Sequence, residues 1–306
     1  MNFLVWMGNH TETGQRSLED VVGIFGKQLR ALGHTIIWDP SNSQFITADR
    51  GINIVVEGFT PGSIEALEKA HKQNCRFIIL ATEEPSPQGF NQGVQPEMVK
   101  RQTDFAGVAR FAEAILHLVP GEHVTCWYGQ FLPTAQIELG YAPTLIRKPL
   151  GREPEYDFGF YGSITKRRHV LLKKLAKCSS SKKAVRIVGD FMPQVERDLI
   201  MQNCKVIVQL RKFEKMGLVS SSRCNTALCL GRPVVAEPHL LVKPWDEVIK
   251  FADTEKHFFD LCIMARASWK SLWYQQFENF KQKFSPEFCV GNALKQVGIL
   301  EERKAA

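Results

Sequence analysis

Several features that mark particular classes of protein are missing from this 306-residue sequence. No apolar run approaches the roughly 20 residues of a membrane-spanning helix. No basic segment precedes the short apolar stretch Phe3–Met7, so we expect no secretory signal. The eight cysteines are scattered and lack the paired spacing of zinc sites. Neither internal repeats nor low-complexity tracts are present. These absences favour a cytoplasmic globular protein with reduced thiols.

Positive charge is concentrated in the second half of the chain. Residues 1–150 contain 12 Lys and Arg against 15 Asp and Glu, whereas the whole chain has 39 against 32 and a net charge of +7. The basic excess therefore lies in residues 151–306, and it indicates an anionic partner. Nucleic acid, an acidic membrane surface and a nucleotide diphosphate are all compatible with the charge alone. Because no nucleic-acid-binding motif is recognised, nucleic acid is not the expected partner.

Short apolar stretches alternate with helical patterns along the whole chain, which predicts an α/β fold with parallel sheets. In the first half we expect one helix from Ser17, another over residues 103–118, and strands in NFLVWMG, HTIIWDP, INIVVEGF, CRFIILATEEP and EHVTCWYG. In the second half the strands fall in FGFYGS, AVRIVGD, CKVIVQL and RPVVAEP.

The segment 147–157 is charged, contains proline and has few apolar residues, as linkers do. It predicts two Rossmann-like domains, 1–150 and 151–306, that face each other across a cleft. Ligands of such sheets bind beyond the carboxyl ends of the strands. Residues 254–284 have helical spacing and many aromatic side chains, which predicts a long packed helix. The alternative is a helix on the inner face of a membrane.

The stretch FYGSITKRRHV places Gly162 and Ser163 between a predicted strand and a predicted helix. Glycine allows the backbone to approach a ligand closely, and the free N–H groups at a helix start bind phosphate oxygens. Lys166, Arg167 and Arg168 follow in the first turn, where the helix dipole disfavours cations. This placement indicates a nearby anion; the alternative is a solvated basic helix face.

The stretch GLVSSSRCNTALCLG repeats this design. Ser220, Ser221 and Ser222 lie where a helix begins behind a strand, and Arg223 follows them. Capping explains one serine but not three serines and an arginine, so we expect a phosphate site here. Lys212, just upstream, is expected to approach the same ligand. Gly189 follows another predicted strand and is a weaker candidate, because a glycine at that place is a common turn residue.

Over residues 156–240 the sequence resembles the donor half of GT-B-fold glycosyltransferases, closest to small bacterial enzymes in which an Arg-x-x-Glu-Ala-Leu helix leads to Gly-x-Pro-Val-Val. The resemblance implies that this half binds a nucleotide-sugar, a co-substrate rather than a cofactor, and that the first half binds a glycan, lipid-linked or protein acceptor. The residues implied to contact the donor are Gly162, Ser163, Arg167, Ser221, Ser222, Arg223 and Asn225.

The chain departs from that family at two positions. Thr226 stands where the family commonly has a glutamate for the ribose hydroxyls, and Leu218 stands where many retaining members have a second glutamate. A threonine can still donate a hydrogen bond to the donor. The leading hypothesis is a glycosyltransferase; the alternatives are a nucleotide-sugar-binding protein without transferase activity and a sugar-nucleotide epimerase.

A catalytic base for an inverting reaction is expected in the first domain. His10 is the first choice because it follows the first strand and titrates near neutral pH; Glu12 in the same loop, Glu83 and Glu84 are rivals. No Asp-x-Asp motif is present, so we expect a metal-independent reaction in which side chains and helix ends stabilise the diphosphate. A dinucleotide oxidoreductase is disfavoured because neither first strand leads into GxGxxG.

Overall fold

The computed structural model describes residues 1–8, 10–38, 44–93, 96–179, 181–189, 192–212, 214, 218–240 and 242–300. The chain forms two compact units. Unit 1 is Met1–Glu138 together with the segment that begins at Pro286, and unit 2 is Leu139–Ser285. Within the described residues each unit contains one parallel sheet, of six strands in unit 1 and five in unit 2. The predicted α/β class is confirmed.

The sheet of unit 1 has the strand order β2-β1-β3-β4-β5-β6. Its strands are β1 (Asn2–Trp6), β2 (Thr35–Trp38), β3 (Ile52–Val56), β4 (Phe77–Ala81), β5 (Ala114–His117) and β6 (Thr134–Gln136). The helices are α1 (Glu12–Ala31), α2 (Pro61–His71), α3 (Pro96–Ala109), α4 (Glu122–Gly129) and, late in the chain, α10 (Asn292–Gln296). Every residue of β3 and β4 is buried, as expected of central strands covered on both faces.

Three predicted elements of unit 1 are wrong. Helix α1 begins at Glu12 rather than Ser17, because the Thr11 hydroxyl caps it by accepting from the backbone N–H of Gly14 at 3.2 Å. The stretch EHVTCWYG is helix α4, not a strand. The predicted helix over 103–118 ends at Ala109, and its last part is strand β5. Apolar periodicity does not separate short buried strands from buried helical turns.

The sheet of unit 2 has the strand order β11-β10-β9-β7-β8. Its strands are β7 (Tyr156–Tyr161), β8 (Val185–Val188), β9 (Cys204–Gln209), β10 (Val234–Ala236) and β11 (Lys250–Phe251). The helices are α5 (Lys166–Lys177), α6 (Gln194–Gln202), α7 (Ser221–Cys229), α8 (Glu255–Ala267) and α9 (Trp269–Lys283). Because β7, β9 and β10 are adjacent and parallel, their carboxyl ends meet at one edge of the sheet and their amino ends at the other.

The predicted long helix over 254–284 is two helices. The chain leaves helical geometry at Ser268, where φ is −119° and ψ is 27°, and it restarts at Trp269. Phe258 and Cys262 of α8 pack into the core of unit 2 with Phe158 and Phe160 of β7. Among the described residues, no helix is both long and apolar enough to cross a membrane.

Candidate functional site

The carboxyl edge of the second sheet brings together the segments that follow three neighbouring strands. Strand β7 leads through Gly162 into α5, β9 leads into the segment before α7, and β10 leads to Glu237. Helices α5 and α7 both begin at this edge. The two stretches that the sequence singled out therefore lie on adjacent strands of one sheet, at the end where parallel α/β sheets bind their ligands.

Arg223 links the two stretches. Its Nε donates to the carbonyl oxygen of Tyr161 at 2.9 Å, and its Nη1 donates to the side-chain oxygen of Gln209. The guanidinium also lies over the rings of Phe160 and Tyr161, 5.1 and 5.4 Å from the two centroids. A positive charge in the first turn of α7 is thus held in a buried, fixed position at the ends of β7 and β9.

Gly162 is required by the position of that guanidinium. Its φ is +127°, a conformation that side chains other than glycine rarely adopt, and a Cβ atom built on it would lie 2.8 Å from Nη2 of Arg223. Its N–H donates to the carbonyl oxygen of Val188 at 3.1 Å, which continues the sheet toward β8. The predicted close approach at this glycine is made, within the protein, by Arg223.

The start of helix α7 carries three hydroxyl groups. Ser220 is the N-cap residue but its side chain makes no capping hydrogen bond; its hydroxyl lies 3.4 Å from that of Ser222. Ser221 accepts a hydrogen bond from Nε1 of Trp245 at 3.2 Å. All three serines are half-buried. A helix start with an unused capping hydroxyl offers N–H and O–H donors to an anion.

Arg168 holds the loop at this edge together. Its guanidinium donates to three carbonyl oxygens: Nε to Arg211 at 3.1 Å, Nη1 to Ser163 at 2.8 Å and Nη2 to Leu210 at 2.7 Å. The side chain is buried. These contacts make Arg168 a positioning residue that fixes the turn after β7 against the turn after β9.

Arg167 forms a two-pronged ion pair with Glu237. Its Nη1 donates to Oε1 at 2.8 Å and its Nη2 donates to Oε2, and the backbone N–H of Arg211 also donates to this carboxylate. Glu237 is only 3% exposed, although it lies just beyond the end of β10. The bidentate geometry neutralises Arg167 and joins the start of α5 to the end of β10.

His239 is a half-buried ring that the sequence did not single out. Its Nδ1–H donates to the carbonyl oxygen of Glu237 at 2.6 Å, and burial lowers its pKa. Its Nε2 has no hydrogen-bond partner within the described part of the chain. A neutral imidazole held in this way presents Nε2 as a hydrogen-bond acceptor. The sequence signal was a histidine three residues beyond the end of β10.

The remaining predicted donor residues have varied surroundings. Asn225 is fully buried, and its amide donates to the carbonyl oxygens of Leu139 and Gly140 at 3.0 and 2.6 Å, so it anchors the chain within unit 2. Thr226 is buried, Lys212 is half-buried and Gly189 is exposed. Asp190, which follows Gly189, lies outside the described residues. Donor contacts for these positions stay predictions.

In unit 1, the two residues proposed as bases lie at the carboxyl end of β1 and the start of α1. Nε2–H of His10 donates to the carbonyl oxygen of Val56 at 2.7 Å, which leaves Nδ1 as the basic nitrogen of the neutral ring. Glu12 is the first residue of α1, is 79% exposed and accepts from Arg16 at 2.5 Å. Its surroundings are those of a solvated helix residue.

A buried charge cluster lies near His10 at the same edge of the first sheet. Arg101 of α3 reaches Oε1 of Glu83 at 2.8 Å and Oε2 of Glu57 at 3.3 Å. Both carboxylates follow neighbouring strands, β4 and β3. In the described residues no donor reaches Oε2 of Glu83. Glu83 was predicted from the sequence as a rival base, but Glu57 and Arg101 were not predicted. Nothing in the local pattern of α3 indicates that Arg101 points toward the interior.

The single positive charge of Arg101 does not balance the two negative charges that Glu57 and Glu83 would carry if both were ionised. Burial, followed by the repulsion of Glu57, raises the pKa of Glu83 to about 8, and burial also raises the pKa of Glu57. The pair therefore holds a proton at neutral pH, as close carboxylates do. The hydroxyl of Tyr128 donates to the carbonyl oxygen of Glu83 at 2.9 Å, which fixes the segment that carries this group.

The fold is shared with glycosyltransferases of known structure. No family model matches the sequence, and no curated protein sequence matches it. An alpha-glucosyltransferase in complex with UDP and a 13-mer DNA containing a HMU base has a TM-score of 0.62 over 97% of this chain and 99% of that chain, at 10% identity. HepE of Anabaena in complex with UDP has a TM-score of 0.56 over 98% and 99%, at 12% identity.

TarM of S. aureus has a TM-score of 0.54 over 81% of this chain, at 14% identity. This chain spans only 55% of TarM, about half of its length. These similarities cover most of the present chain, and they confirm the GT-B-type architecture of two parallel sheets that the second half of the sequence led us to expect.

Proposed function

We propose that the protein is a glycosyltransferase that transfers a sugar from a UDP-sugar to a hydroxyl group. The observation that carries the proposal is the carboxyl edge of the second sheet. There, the guanidinium of Arg223 and the hydroxyl-rich start of α7 lie beside the left-handed turn at Gly162. The uridine nucleotide is proposed because UDP is bound in the alpha-glucosyltransferase and in HepE, which share the fold.

In this proposal the diphosphate binds at the start of α7. The N–H groups there and the hydroxyls of Ser220 and Ser222 donate to its oxygens, and the helix dipole favours its charge. Arg223 adds a fixed positive charge that requires no reorganisation when the leaving group departs. Lys212, half-buried beside this edge, adds a second positive charge.

Arg167 and Arg168 act indirectly in this scheme. Their guanidinium groups contact Glu237 and backbone carbonyl oxygens, so they shape the turns that carry Gly162 and Ser163. The positive charges at the start of α5 are unfavourable for the helix dipole, and the carboxylate of Glu237 offsets them. In this proposal the two arginines position these turns, and the donor contacts that were expected for them from the sequence stay predictions.

The acceptor is a hydroxyl of a glycan, a lipid-linked glycan or a protein side chain, and we expect unit 1 to bind it. During transfer the acceptor oxygen forms a bond to the anomeric carbon as the bond from that carbon to the diphosphate breaks. The acceptor proton passes to a base. His10 offers its Nδ1 for this step, and Glu83 is the rival base that the sequence predicted.

A nucleotide panel followed by a product assay tests the proposal. Thermal unfolding is measured with UDP, GDP, CMP, ADP and dTDP, and UDP is expected to give the largest stabilisation, about 2.7 kcal/mol at 100 times its dissociation constant. Ser222→Ala and Arg223→Ala should weaken UDP binding, whereas His10→Ala should leave it nearly unchanged. Formation of a glycosylated product from a UDP-sugar then establishes transfer, and slow hydrolysis of the UDP-sugar establishes that the protein activates the donor.

Each outcome has a distinct meaning. Binding of UDP without hydrolysis or transfer, over a panel of UDP-sugars and acceptors, favours the nucleotide-sugar-binding protein that Thr226 suggests, because the ribose-binding carboxylate of related sequences is absent. Interconversion of UDP-sugars without transfer favours an epimerase. Loss of UDP binding in His10→Ala but not in Arg223→Ala contradicts the assignment of the donor to unit 2.

A further inference from the structure

The outer face of helix α5 carries a row of lysines. Lys166, Lys173 and Lys177 are exposed, and their spacing of seven and four residues places them on one face of the helix. The row is about 17 Å long. Helix α5 has the sequence KRRHVLLKKLAK, without an acidic residue. Their neighbour Lys174 pairs with Glu255, but no carboxylate in the described part of the chain forms an ion pair with the three lysines of the row.

The charges of this row are unfavourable for the helix itself. Lys166 is the first residue of α5, where the helix dipole disfavours a cation. Lys173 and Lys177 are one turn apart, and like charges at this spacing repel each other. On α1 and α8, by contrast, exposed cations pair with a carboxylate one turn away, as in Arg16–Glu12 and Lys256–Asp260. An anionic partner outside the chain would supply the negative charge that the row lacks.

Exposed apolar side chains accompany the lysines. Val170 lies between Lys166 and Lys173 on the same helix face and is 44% exposed. Ile164, two residues before the start of α5, is 43% exposed. Single exposed apolar side chains are ordinary on protein surfaces. A valine inside a row of cations, however, makes the outer face of α5 both basic and apolar.

Ile187 extends this surface to the edge of the sheet. It lies on the edge strand β8 and is 38% exposed. Side chains alternate between the two faces of a strand, so Ile187 shares a face with Val185. Val185 packs against the core cluster that contains Leu171, Leu172 and Leu175 of α5. Ile187 therefore lies on the side of the sheet that α5 covers.

Helix α5 holds this surface in a fixed orientation. Its three leucines are buried in the core of unit 2, on the side of the helix opposite to the lysine row. The outer surface is therefore already formed in the folded chain. We call it the α5 face, and it comprises Ile164, Lys166, Val170, Lys173, Lys177 and Ile187. None of these residues is among the proposed diphosphate contacts.

We propose that the α5 face docks on a membrane surface that contains anionic lipids, with α5 parallel to the plane of the bilayer. The lysines complement the charge of the headgroups, and Val170 and Ile164 enter the boundary between headgroups and acyl chains. The long lysine side chains keep their ammonium groups at the headgroup level while their methylene stems lie on apolar surface. A nucleic acid would match the cations but would place the apolar side chains against its charged phosphates. This proposal does not depend on the transferase activity.

Sedimentation of the full chain with lipid vesicles tests the docking. Wild type should bind vesicles of phosphatidylcholine and phosphatidylglycerol, should not bind vesicles of phosphatidylcholine alone, and should be released as the salt concentration rises. The triple variant Lys166→Gln/Lys173→Gln/Lys177→Gln should bind the anionic vesicles more weakly by about fivefold for each lysine, or about a hundredfold in all. Lys173→Gln alone should show the fivefold loss if the triple variant folds poorly.

A second triple variant is the matched control for net charge. Lys256→Gln/Lys270→Gln/Lys283→Gln also removes three positive charges from exposed lysines of unit 2, and each of these lysines is paired with a carboxylate. Its vesicle binding should remain close to that of wild type. An equal loss in the two triple variants would show that net charge rather than the α5 face drives binding, and it would overturn the proposal.

The apolar contribution is tested separately. Val170→Gln should weaken binding to anionic vesicles severalfold without changing the thermal unfolding temperature, because the side chain is exposed. Val195→Gln, on α6 at a position that is 68% exposed, should bind like wild type. Unchanged binding in Val170→Gln would contradict the docked orientation.

Two further measurements exclude other anionic ligands. Excess UDP should not release the protein from the vesicles, and release by UDP would place the lipid at the donor edge and contradict the proposal. Duplex DNA is the competing macromolecule. Binding of DNA that depends on the lysine row, without sedimentation on anionic vesicles, would overturn the assignment to a membrane.

Discussion

Nε of Arg223 donates a hydrogen bond of 2.9 Å to the carbonyl oxygen of Tyr161. This bond joins the first turn of α7 to the last residue of β7, across 62 positions of the chain. The two stretches that the sequence marked separately are therefore one structural unit. A change in the turn after β7 is therefore expected to move the guanidinium of Arg223, which we propose binds the diphosphate.

Gly162→Ala tests this coupling. The added methyl group would lie 2.8 Å from Nη2 of Arg223 at a φ of +127°, so it strains the turn by about 1–3 kcal/mol and displaces the guanidinium. We expect UDP affinity to fall by about tenfold or more, measured by calorimetry. Gly231→Ala is the matched control, because this glycine of unit 2 also has a positive φ, +81°, but has open space around its Cβ position. A similar loss in both variants would contradict the coupling.

The Arg167–Glu237 pair should contribute more to stability than an exposed pair. Glu237→Gln leaves Arg167 without its buried carboxylate, and we expect the free energy of unfolding to fall by about 1–3 kcal/mol. Adding Arg167→Met should restore part of this loss in a double-mutant cycle. For comparison, Glu255→Gln breaks the exposed pair with Lys174 and should cost less than about 1 kcal/mol.

The sequence predicted the architecture of unit 2 better than that of unit 1, for a physical reason. In unit 2 the strands are separated by Gly, Ser and Pro at turns, and helices α5 and α7 begin at capping residues. In unit 1 the stretch EHVTCWYG reads as a strand because it is apolar and contains aromatic and β-branched residues. Its helical state depends on the burial of Val124 and Tyr128 on one face, which only tertiary contacts establish.

The stability of unit 1 should decrease as pH rises from about 4.5 to about 8. The pKa of Glu83 is raised to about 8 from an ordinary value of 4.5, so the folded state binds more protons than the unfolded state between these values. Stability is then fully present below the unfolded pKa and is lost as pH rises through the folded pKa. The expected slope is at most about 1.4 kcal/mol per pH unit, measured between pH 6.5 and 8 by hydrogen exchange of amides in β3 and β4.

Two variants test whether Glu83 causes this dependence of stability on pH. Glu83→Gln should flatten the pH dependence, because its amide does not titrate. Glu84→Gln changes a neighbouring carboxylate that pairs with His123 at 3.4 Å and lies outside the buried cluster, so its profile should match wild type. A wild-type slope in Glu83→Gln would contradict the shared proton.

Because of His117, the stability of unit 1 should also decrease as the pH falls into the acid range. Burial lowers the pKa of this ring to about 4 from 6.5, and its Nδ1–H donates to the carbonyl oxygen of Val119 at 2.9 Å. The unfolded state therefore binds more protons between these values, and stability is lost as pH falls from 6.5 toward 4. His117→Gln should reduce that loss in urea titrations, while His71→Gln, at an exposed position, should not change it.

The sequence predicted those parts of the candidate site that depend on residues close together along the chain. Glycine and serine before a helix, followed by arginine, identified the edge of the sheet. The role of each arginine was not predictable, because whether a guanidinium meets a ligand, a carboxylate or a carbonyl depends on residues far along the chain. Arg167 meets Glu237, 70 positions away, and Arg101 meets Glu57, 44 positions away.

Unit 1 is assembled from both ends of the chain, and this has a consequence for synthesis on the ribosome. Unit 2 is contiguous and can fold as soon as Ser285 has left the exit tunnel. The first sheet must wait longer for its last contacts, since the backbone N–H of Glu138 donates to Cys289 and Gln296 reaches Thr134 at the edge strand. A nascent chain arrested before Pro286 should thus carry a finished second unit and a first unit that proteases still cut.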